Sequence, residues 1–233
     1  MTDLSKSPAR IAGMFDAIAD RYDLLNHLLS AGIDRRWRRR ALRSLALTGR
    51  ERVLDLCTGT ADLAIGAVRA RPGAARVVGV DFAGAMLHVG QKKLRQGQLM
   101  ERVTLVRGDA TKVPVGDGTV DAITMSFGIR NVEDPVAACR EMLRVLRPGG
   151  RVAILEFSIP STPVIRALYL WYFNHVLPRI GRMVSRHHAA YGYLPASVGA
   201  FRSPDEFVTI LRQCGFIDVG AVRRSENWDR LER

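Results

Sequence analysis

The middle of the chain alternates short β-branched runs with helical patterns, and this alternation restricts the fold more than any other feature. The strand-like runs occupy 52–56, 75–81, 103–109, 120–127 and 151–157, and helical stretches follow three of them at 61–73, 84–97 and 134–150. Because the apolar runs are continuous, we expect strands that are buried on both faces, as in parallel sheets. The sequence therefore predicts an α/β fold with a doubly wound, mostly parallel sheet.

The 233 residues are expected to form a single domain, 1–233, with four segments. Residues 1–50 are helical in pattern, 51–157 form the α/β core, 158–200 form a long insertion, and 201–233 supply a helix and a strand. The insertion is rich in aromatic, proline and basic residues, and we interpret it as a helical cover over the carboxyl ends of the strands. The final strand is predicted over 216–223.

The helix predicted within 134–150 has the clearest boundaries. Asp134 is expected to be its N-cap and Pro135 its first residue, and the Pro148-Gly149-Gly150 run is expected to end it. The apolar face of this helix is predicted to carry Val136, Cys139, Leu143 and Leu146.

The net charge of +12, from 35 basic and 23 acidic residues, implies attraction to an anionic partner. Nucleic acid, an anionic membrane surface and a negatively charged substrate all fit, and simple solubility is the alternative. The three cysteines form no Cys-x-x-Cys pair, which favours a reducing compartment. We expect no metal site, because no two histidines have the spacing of metal ligands. We expect no transmembrane helix, because no run of 18 residues is free of charge, and no signal peptide, because the first residues include acids and lack an apolar run.

The ends of the predicted strands carry polar residues that would meet at one edge of a parallel sheet. The first turn, "DLCTGTAD" (55–62), lacks the G-x-G-x-x-G dinucleotide fingerprint, but Gly59 lets a ligand approach the backbone and Thr60 offers a hydroxyl. A tight turn that requires glycine is the alternative. Asp81 ends the second strand, where a carboxylate can accept ribose hydroxyls, although it is also placed to be a helix N-cap.

Two further strand ends add to this pattern. Asp109 and Ala110 are placed to bind the amine and a ring nitrogen of adenine, with an Asx-turn as the alternative. Ser126 ends the fourth strand and Arg130 follows it. A buried arginine there requires an anion, or a structural ion pair with Glu133, Asp134 or Glu156. Taken together, the four turns predict a nucleoside-binding edge.

The residues that carry this pattern resemble class I (Rossmann-like) S-adenosylmethionine-dependent methyltransferases. More closely, the chain resembles the quinone-biosynthesis C-methyltransferases that act on demethylmenaquinol and on its ubiquinone-pathway counterpart. The likeness covers about residues 10 to 219. Its most specific stretches are "RYDLLNHLLSAGIDRRW" (21–37) and "SFGIRN" (126–131), and it extends through "VLDLCTGTADLA" (53–64), "GVDFAGAML" (79–87) and "YGYLPASV" (191–198).

The resemblance implies S-adenosylmethionine as the cofactor and a prenylated quinol as the substrate, with the naphthoquinol favoured over the benzoquinol. Carried over by position, the cofactor-binding residues are Thr60, Asp81, Asp109, Ala110 and Ser126, beside Gly59. Arg130 would stabilise the naphtholate oxygen, and Tyr22 would orient a water or the substrate hydroxyl, which makes these two the expected catalytic residues. His27 and His175 are weaker candidates for a base, and we expect both to be packed or solvated.

The implied substrate carries a membrane-soluble tail, so we expect a cytoplasmic protein attached peripherally to the inner face of the cytoplasmic membrane. The basic run at 35–40 would contact anionic lipid, together with Arg166, Arg179, Arg182 and Arg186. Nucleic acid is not an expected partner, and assembly into a homo-oligomer or with other quinone-biosynthesis proteins stays open.

The chain departs from the family at three places. Ala61 stands where members often have glycine, Gly192 replaces a common arginine, and the family's last antiparallel strand has no counterpart after 223. The last two departures keep a catalytically silent quinone-pathway scaffold as one alternative. An RNA methyltransferase that uses the same cofactor site is the other, because the positive charge fits it.

Overall fold

The structure is a computed structural model that describes residues 6–30, 32–159, 162–172, 175, 193 and 196–222. Five parallel strands form one sheet in the order β3-β2-β1-β4-β5. Their bounds are β1 Arg52–Leu56, β2 Arg76–Asp81, β3 Val103–Arg107, β4 Val120–Ser126 and β5 Leu146–Leu155. The predicted α/β fold with a parallel sheet is therefore confirmed.

Helices surround this sheet and precede it. They are α1 Pro8–Asp16, α2 Ala19–Leu29, α3 Asp34–Ser44, α4 Asp62–Arg69, α5 Gly84–Gln96, α6 Pro135–Val145, α7 Pro163–Trp171 and, labelled α8 here, Pro204–Gln213. A short 3₁₀ turn, Ile129–Asn131, follows β4. None of the described helices has the length and apolar character needed to cross a membrane.

Each face of the sheet has its own hydrophobic core, because neighbouring residues of a strand point to opposite sides. Leu54 of β1 belongs to the core that α6 and α8 cover, where Met142 and Phe207 are buried. Val53 belongs to the core that α3, α4 and α5 cover, where Leu94 is fully buried. Strands buried on both faces explain why the central runs of the sequence are continuously apolar.

The N-terminus of α6 is formed as predicted. The Asp134 side chain accepts hydrogen bonds from the backbone N–H groups of Val136 and Ala137, at 2.9 and 3.0 Å, and Pro135 is the first helical residue. This cap satisfies two of the backbone donors that a helix start leaves unpaired. The direction of α6 across the sheet is therefore set at its first turn.

The predicted apolar face and end of α6 were partly wrong. The buried residues of the helix are Ala138, Cys139, Met142 and Val145. Leu143 is 37% exposed, and the helix ends at Val145 rather than at Pro148. The reason is that Leu146 already pairs with Val120 as the first residue of β5, so the chain enters the sheet two residues before the proline.

The C-terminal prediction was also wrong in the described residues. Residues 216–222 form no strand, and β5 has no neighbour on its outer side within the described part of the chain. Asp218 has a left-handed φ of 52°, and Ile217 is 86% exposed, so this segment lacks the alternating burial of a paired strand. Most of the predicted cover, 158–200, lies outside the described residues, as do Gly192, Arg179, Arg182 and Arg186.

Candidate active site

A cleft opens at the carboxyl ends of β1 and β4, where the strand order reverses. This is the position at which doubly wound sheets bind ligands. The cleft has about 360 Å³ of open space, a volume that includes the solvent at its mouth. Its lining residues are Phe15, Tyr22, Cys57, Gly59, Asp81, Phe82, Met86, Ser126, Phe127, Gly128 and Asn131.

The turn after β1 has an unusual backbone that shapes one wall of this cleft. Cys57, Gly59 and Ala61 all have left-handed φ values, of 51°, 54° and 65°. A side chain on Gly59 would be strained there, and its Cβ would lie 3.2 Å from Cε of Met86. The turn therefore does require glycine, as the alternative interpretation held, and the same glycine lies on the cleft wall.

Asp81 holds this turn against the second strand. One carboxylate oxygen accepts from the Gly59 N–H at 2.8 Å, and the other accepts from the Ala83 N–H at 2.9 Å. Asp81 is not the N-cap of α5, because Ala83 occupies that position. Burial raises the pKa of Asp81, while the backbone donors at Ala83 and Gly59 lower it.

Three of the predicted cofactor-binding residues do not line the cleft. Thr60 is buried, and its hydroxyl donates to Asp23 at 2.6 Å. Asp109 lies beyond the end of β3 and accepts from the backbone and the hydroxyl of Thr111, which is the Asx-turn that we gave as the alternative. Ala110 is buried in the core beneath α6. Gly59, Asp81 and Ser126 are brought together at the cleft.

The segment after β4 explains why an arginine follows an apolar strand. Arg130 is 5% exposed, and its Nη1 donates to Glu156 at 2.5 Å and to the carbonyl of Phe127 at 2.8 Å. Its guanidinium also lies 5.5 Å from the centre of the Phe157 ring. Of the three partners considered for a structural ion pair, Glu156 is the one that the structure provides.

Tyr22 brings the N-terminal helices into the site. It lies on α2, lines the cleft, and packs edge-on against Phe15 with 5.9 Å between ring centres. Burial raises the pKa of Tyr22, although the charge of Arg130 partly opposes this effect. The phenol is therefore protonated at neutral pH, and a hydrogen bond with the Asn26 side chain also opposes the rise in its pKa.

The sequence analysis did not select Asn131, although it belongs to the "SFGIRN" segment. Asn131 lines the cleft and is 6% exposed. Its Nδ2 donates to the Phe127 carbonyl at 3.1 Å, but its buried Oδ1 has no hydrogen-bond partner. A buried acceptor without a donor is costly, so this oxygen is suited to a ligand with an O–H or N–H group.

The two histidines are packed away from the cleft, as expected. His27 Nδ1 lies 3.0 Å from the Asp34 carboxylate, and Arg35 contacts its other ring nitrogen. The His175 ring stacks on Trp171. Neither is among the residues that line the cleft.

Sequence comparison places these features in a family. The ubiE/COQ5 methyltransferase family matches residues 1–225 of the chain. The chain belongs to this family. The match includes the strand-end residues Gly59 and Asp81 and the "SFGIRN" segment, four residues of which line the same cleft.

Two named relatives show how far the family likeness extends. The ubiquinone/menaquinone biosynthesis C-methyltransferase UbiE of Geobacter sp. (strain M21) is 48% identical over 219 residues, which is 94% of this chain and 93% of that protein. The demethylmenaquinone methyltransferase of Lactiplantibacillus plantarum is 38% identical over 209 residues, 90% of this chain and 88% of the relative. The alignments therefore cover nearly the whole of each protein.

Solved structures agree with the fold. A SAM dependent methyltransferase from Aquifex aeolicus aligns with a TM-score of 0.55 at 20% identity, over 76% of this chain and 78% of that chain. At this identity the likeness concerns the fold alone. The ubiE/COQ5 methyltransferase described here thus shares the overall fold of this structural neighbour.

Proposed function

We propose that this chain transfers the methyl group of S-adenosylmethionine to a ring carbon of a prenylated quinol, with demethylmenaquinol as the preferred substrate. As a ubiE/COQ5 family member with relatives named for this reaction, the chain is a quinone-biosynthesis C-methyltransferase. The relatives' names contain both ubiquinone and menaquinone, and we choose the naphthoquinol ring of the menaquinone pathway over the benzoquinol ring.

One observation carries this proposal. Four residues of the family-specific segment 126–131 line the same cleft as the strand-end residues Gly59 and Asp81. They are Ser126, Phe127, Gly128 and Asn131, and Arg130 is not among the lining residues. A nucleoside cofactor and a second reactant must share a site for direct transfer, and this cleft places the strand-end residues beside the family-specific ones. Holding two reactants in line supplies about 7–11 kcal/mol of a reaction barrier.

The residues at the strand ends suit S-adenosylmethionine. Gly59 allows the backbone to approach a ligand closely, and Asp81 is a buried carboxylate at the end of β2. Ser126 adds a hydroxyl at the end of β4. Thr60, Asp109 and Ala110 do not line the cleft, and their contacts with the cofactor stay a proposal from the family resemblance. The cofactor supplies an electrophilic methyl group on a sulfonium.

Arg130 and Tyr22 are assigned to the quinol. Loss of a hydroxyl proton makes the adjacent ring carbon more nucleophilic, and a guanidinium near that oxygen stabilises the charge. Glu156 and the Phe127 carbonyl hold the Arg130 side chain in one orientation. Arginine has a pKa above about 12 and is a poor base, so a water oriented by Tyr22 is the proposed proton acceptor.

Peripheral membrane binding is a separate part of the proposal. The outer face of α3 exposes Arg35, Arg36, Arg39 and Arg43. Arg38 and Trp37 of the same basic run point elsewhere: Arg38 pairs with Asp62, and Trp37 packs edge-on against Phe157. Each exposed arginine near an anionic membrane is worth about 1 kcal/mol, so reversing all four charges should abolish co-sedimentation with phosphatidylglycerol vesicles.

Transfer of labelled methyl from S-adenosylmethionine tests the proposed reaction. Reduced demethylmenaquinol with a short tail, the matching benzoquinol and total RNA would be offered separately. Label in the naphthoquinol is expected, and oxidation of the quinol should prevent it, because the oxidised ring is not a nucleophile. An Arg130→Lys variant keeps a cation but loses the planar donor pair, and we expect at least a 100-fold loss of turnover.

The other outcomes separate the rival functions. Label in RNA alone would show that the chain is an RNA methyltransferase and that its net charge of +12 serves to bind nucleic acid. Binding of S-adenosylmethionine in calorimetry with no label in any acceptor would favour a silent scaffold. Faster labelling of the benzoquinol would retain the reaction and change its substrate.

A further inference from the structure

A cluster of charged side chains joins the N-terminal helices to the turn after β1, and Lys93 is at its centre. The Lys93 ammonium lies 2.5 Å from the Asp23 carboxylate, 2.6 Å from the Asp62 carboxylate and 3.0 Å from the Thr60 hydroxyl. An ammonium has three N–H donors, and here three acceptors from three different parts of the chain surround it.

The partners of Lys93 belong to the elements that build the cleft. Asp23 follows Tyr22 directly on α2, and its second carboxylate oxygen accepts from the Thr60 hydroxyl at 2.6 Å. Asp62 is the first residue of α4, and it also pairs with Arg38 of α3. Lys93 itself lies near the end of α5. The cluster therefore connects α2, α3, α4 and α5 through side chains alone.

The ion pairs of Lys93 are intermediate in burial between a surface salt bridge and a fully buried one. The side chains of Lys93, Asp23 and Asp62 are 25%, 27% and 28% exposed. Removal of the lysine side chain would leave Asp62 paired with Arg38. Asp23 would lose its link to α5 and keep only the hydrogen bond from the Thr60 hydroxyl. The predicted response is that α2 moves away from the turn.

We propose that Lys93 is a positioning residue that holds Tyr22 and the Gly59-Thr60 turn in one fixed arrangement. This inference rests on the proposed function, which assigns Tyr22 to the quinol and the turn to the cofactor. Lys93 does not line the cleft, so it acts through Asp23 and Thr60 rather than on a ligand. Loss of Lys93 should therefore affect both the cofactor and the quinol.

The other end of the N-terminal segment has a separate tether. The Asp16 carboxylate accepts from the backbone N–H of Ala85 at 2.8 Å, and Phe15 packs beside Met86 in a small apolar cluster. These contacts join α1 to the start of α5 and do not involve Lys93. The loss of Lys93 should thus release α2 and leave α1 in place.

The test compares Lys93→Met with Lys92→Met, a matched control. Lys92 is the neighbouring residue, carries the same charge and is exposed, so its substitution changes net charge equally without touching the cluster. Hydrogen–deuterium exchange should rise at least 10-fold in peptides from 19–29 of Lys93→Met, and should stay unchanged in peptides from 8–16. Calorimetry should show about 10-fold weaker binding of S-adenosylmethionine, and kcat for the quinol should fall as well.

A double variant, Asp23→Asn with Lys93→Met, excludes a trivial electrostatic effect. If Lys93 positions α2, the double variant stays fast-exchanging, because neutralising Asp23 does not restore the link. Recovery of slow exchange and cofactor affinity in the double variant would overturn the inference, since an unpaired carboxylate would then be the cause. Equal behaviour of Lys93→Met and Lys92→Met would overturn it too.

Failure of the proposed function would be seen separately. Exchange and cofactor calorimetry require no quinol, so they report on Lys93 even if the wild-type chain labels another acceptor. Absence of label in quinol from the wild-type chain would refute the proposed reaction. Loss of slow exchange in α2 with unchanged cofactor affinity would refute the link between Tyr22 and the turn.

Discussion

The Arg130 guanidinium donates to the Glu156 carboxylate at 2.5 Å, and this contact joins the segment after β4 to the segment after β5. Both side chains are more than nine-tenths buried. Removal of one partner from such a pair costs about 3–5 kcal/mol, because the other charge is left without compensation. We therefore expect Arg130→Met to lower the free energy of unfolding by about that amount in urea titrations.

The double variant Arg130→Met with Glu156→Met separates the structural from the functional role of Arg130. With both charges removed, most of the lost stability should return. Methyl transfer to the quinol should stay at least 100-fold below wild type, because the guanidinium is still absent. If turnover returned together with stability, Arg130 would be a structural residue only.

Gly128 is required because the side chain of Cys57 lies against it. A Cβ added at Gly128 would lie 2.4 Å from Cβ of Cys57, so Gly128→Ala should destabilise the protein by about 1–3 kcal/mol. Adding Cys57→Gly removes the opposing atoms and also suits the left-handed φ of 51°. The double variant should therefore unfold at a higher temperature than Gly128→Ala alone. Additive losses of stability in the two variants would contradict this explanation.

Asp55 should make the stability of the folded protein depend on pH. It is 1% exposed, and burial raises its pKa from 3.8 to about 6, although the hydroxyls of Thr58 and Thr124 donate to it. A raised carboxyl pKa means that the folded state binds the proton more tightly than the unfolded state. The contribution of Asp55 to stability should fall as pH rises from about 4 to about 6, by about 3 kcal/mol.

The variant Asp55→Asn isolates this contribution from that of the other carboxyl groups. The difference in unfolding free energy between wild type and variant should change between pH 4 and pH 7, in favour of the variant at the higher pH. Urea unfolding at several pH values measures it. A difference that is constant across this range would show that Asp55 has an ordinary pKa.

Substitutions of Asn131 should show whether its side chain binds a ligand or only supports the Phe127 backbone. Asn131→Asp keeps an acceptor in the cleft but loses the N–H donor to Phe127, whereas Asn131→Leu loses both. If the unpaired Oδ1 binds a ligand, the leucine variant should have at least 10-fold lower kcat/KM than the aspartate variant. Equal kcat/KM values, with equally lowered melting temperatures, would mean that only the Phe127 contact matters.

The sheet and the position of the cleft were predictable because they depend on patterns within single segments. A strand that is buried on both faces must be apolar throughout, and the ends of parallel strands must meet at one edge. Those two rules brought Gly59, Asp81 and Ser126 to one cleft before any coordinates were considered. The same rules did not indicate that Asp109 and Ala110 lie outside its lining.

The contacts of Arg38 and Lys93 could not be predicted, because they depend on how separate helices dock. Arg38 belongs to a basic run that is typical of an exposed surface, yet its partner Asp62 lies 24 residues away. Lys93 is 70 residues from Asp23, and no local pattern relates them. The end of α6 was missed for a similar reason, since pairing with Val120 draws Leu146 into the sheet.

The central place of β1 has a consequence for synthesis of the chain. One edge of β1 pairs with β2, which follows after some twenty residues, but the other waits for β4, where Val53 meets Ala122. At about 5–20 residues per second, the ribosome needs roughly 3 to 14 s to make the intervening stretch. During that interval the edge of β1 that will pair with β4 is open, so the speed of elongation rather than the finished fold sets how long this edge is exposed to aggregation.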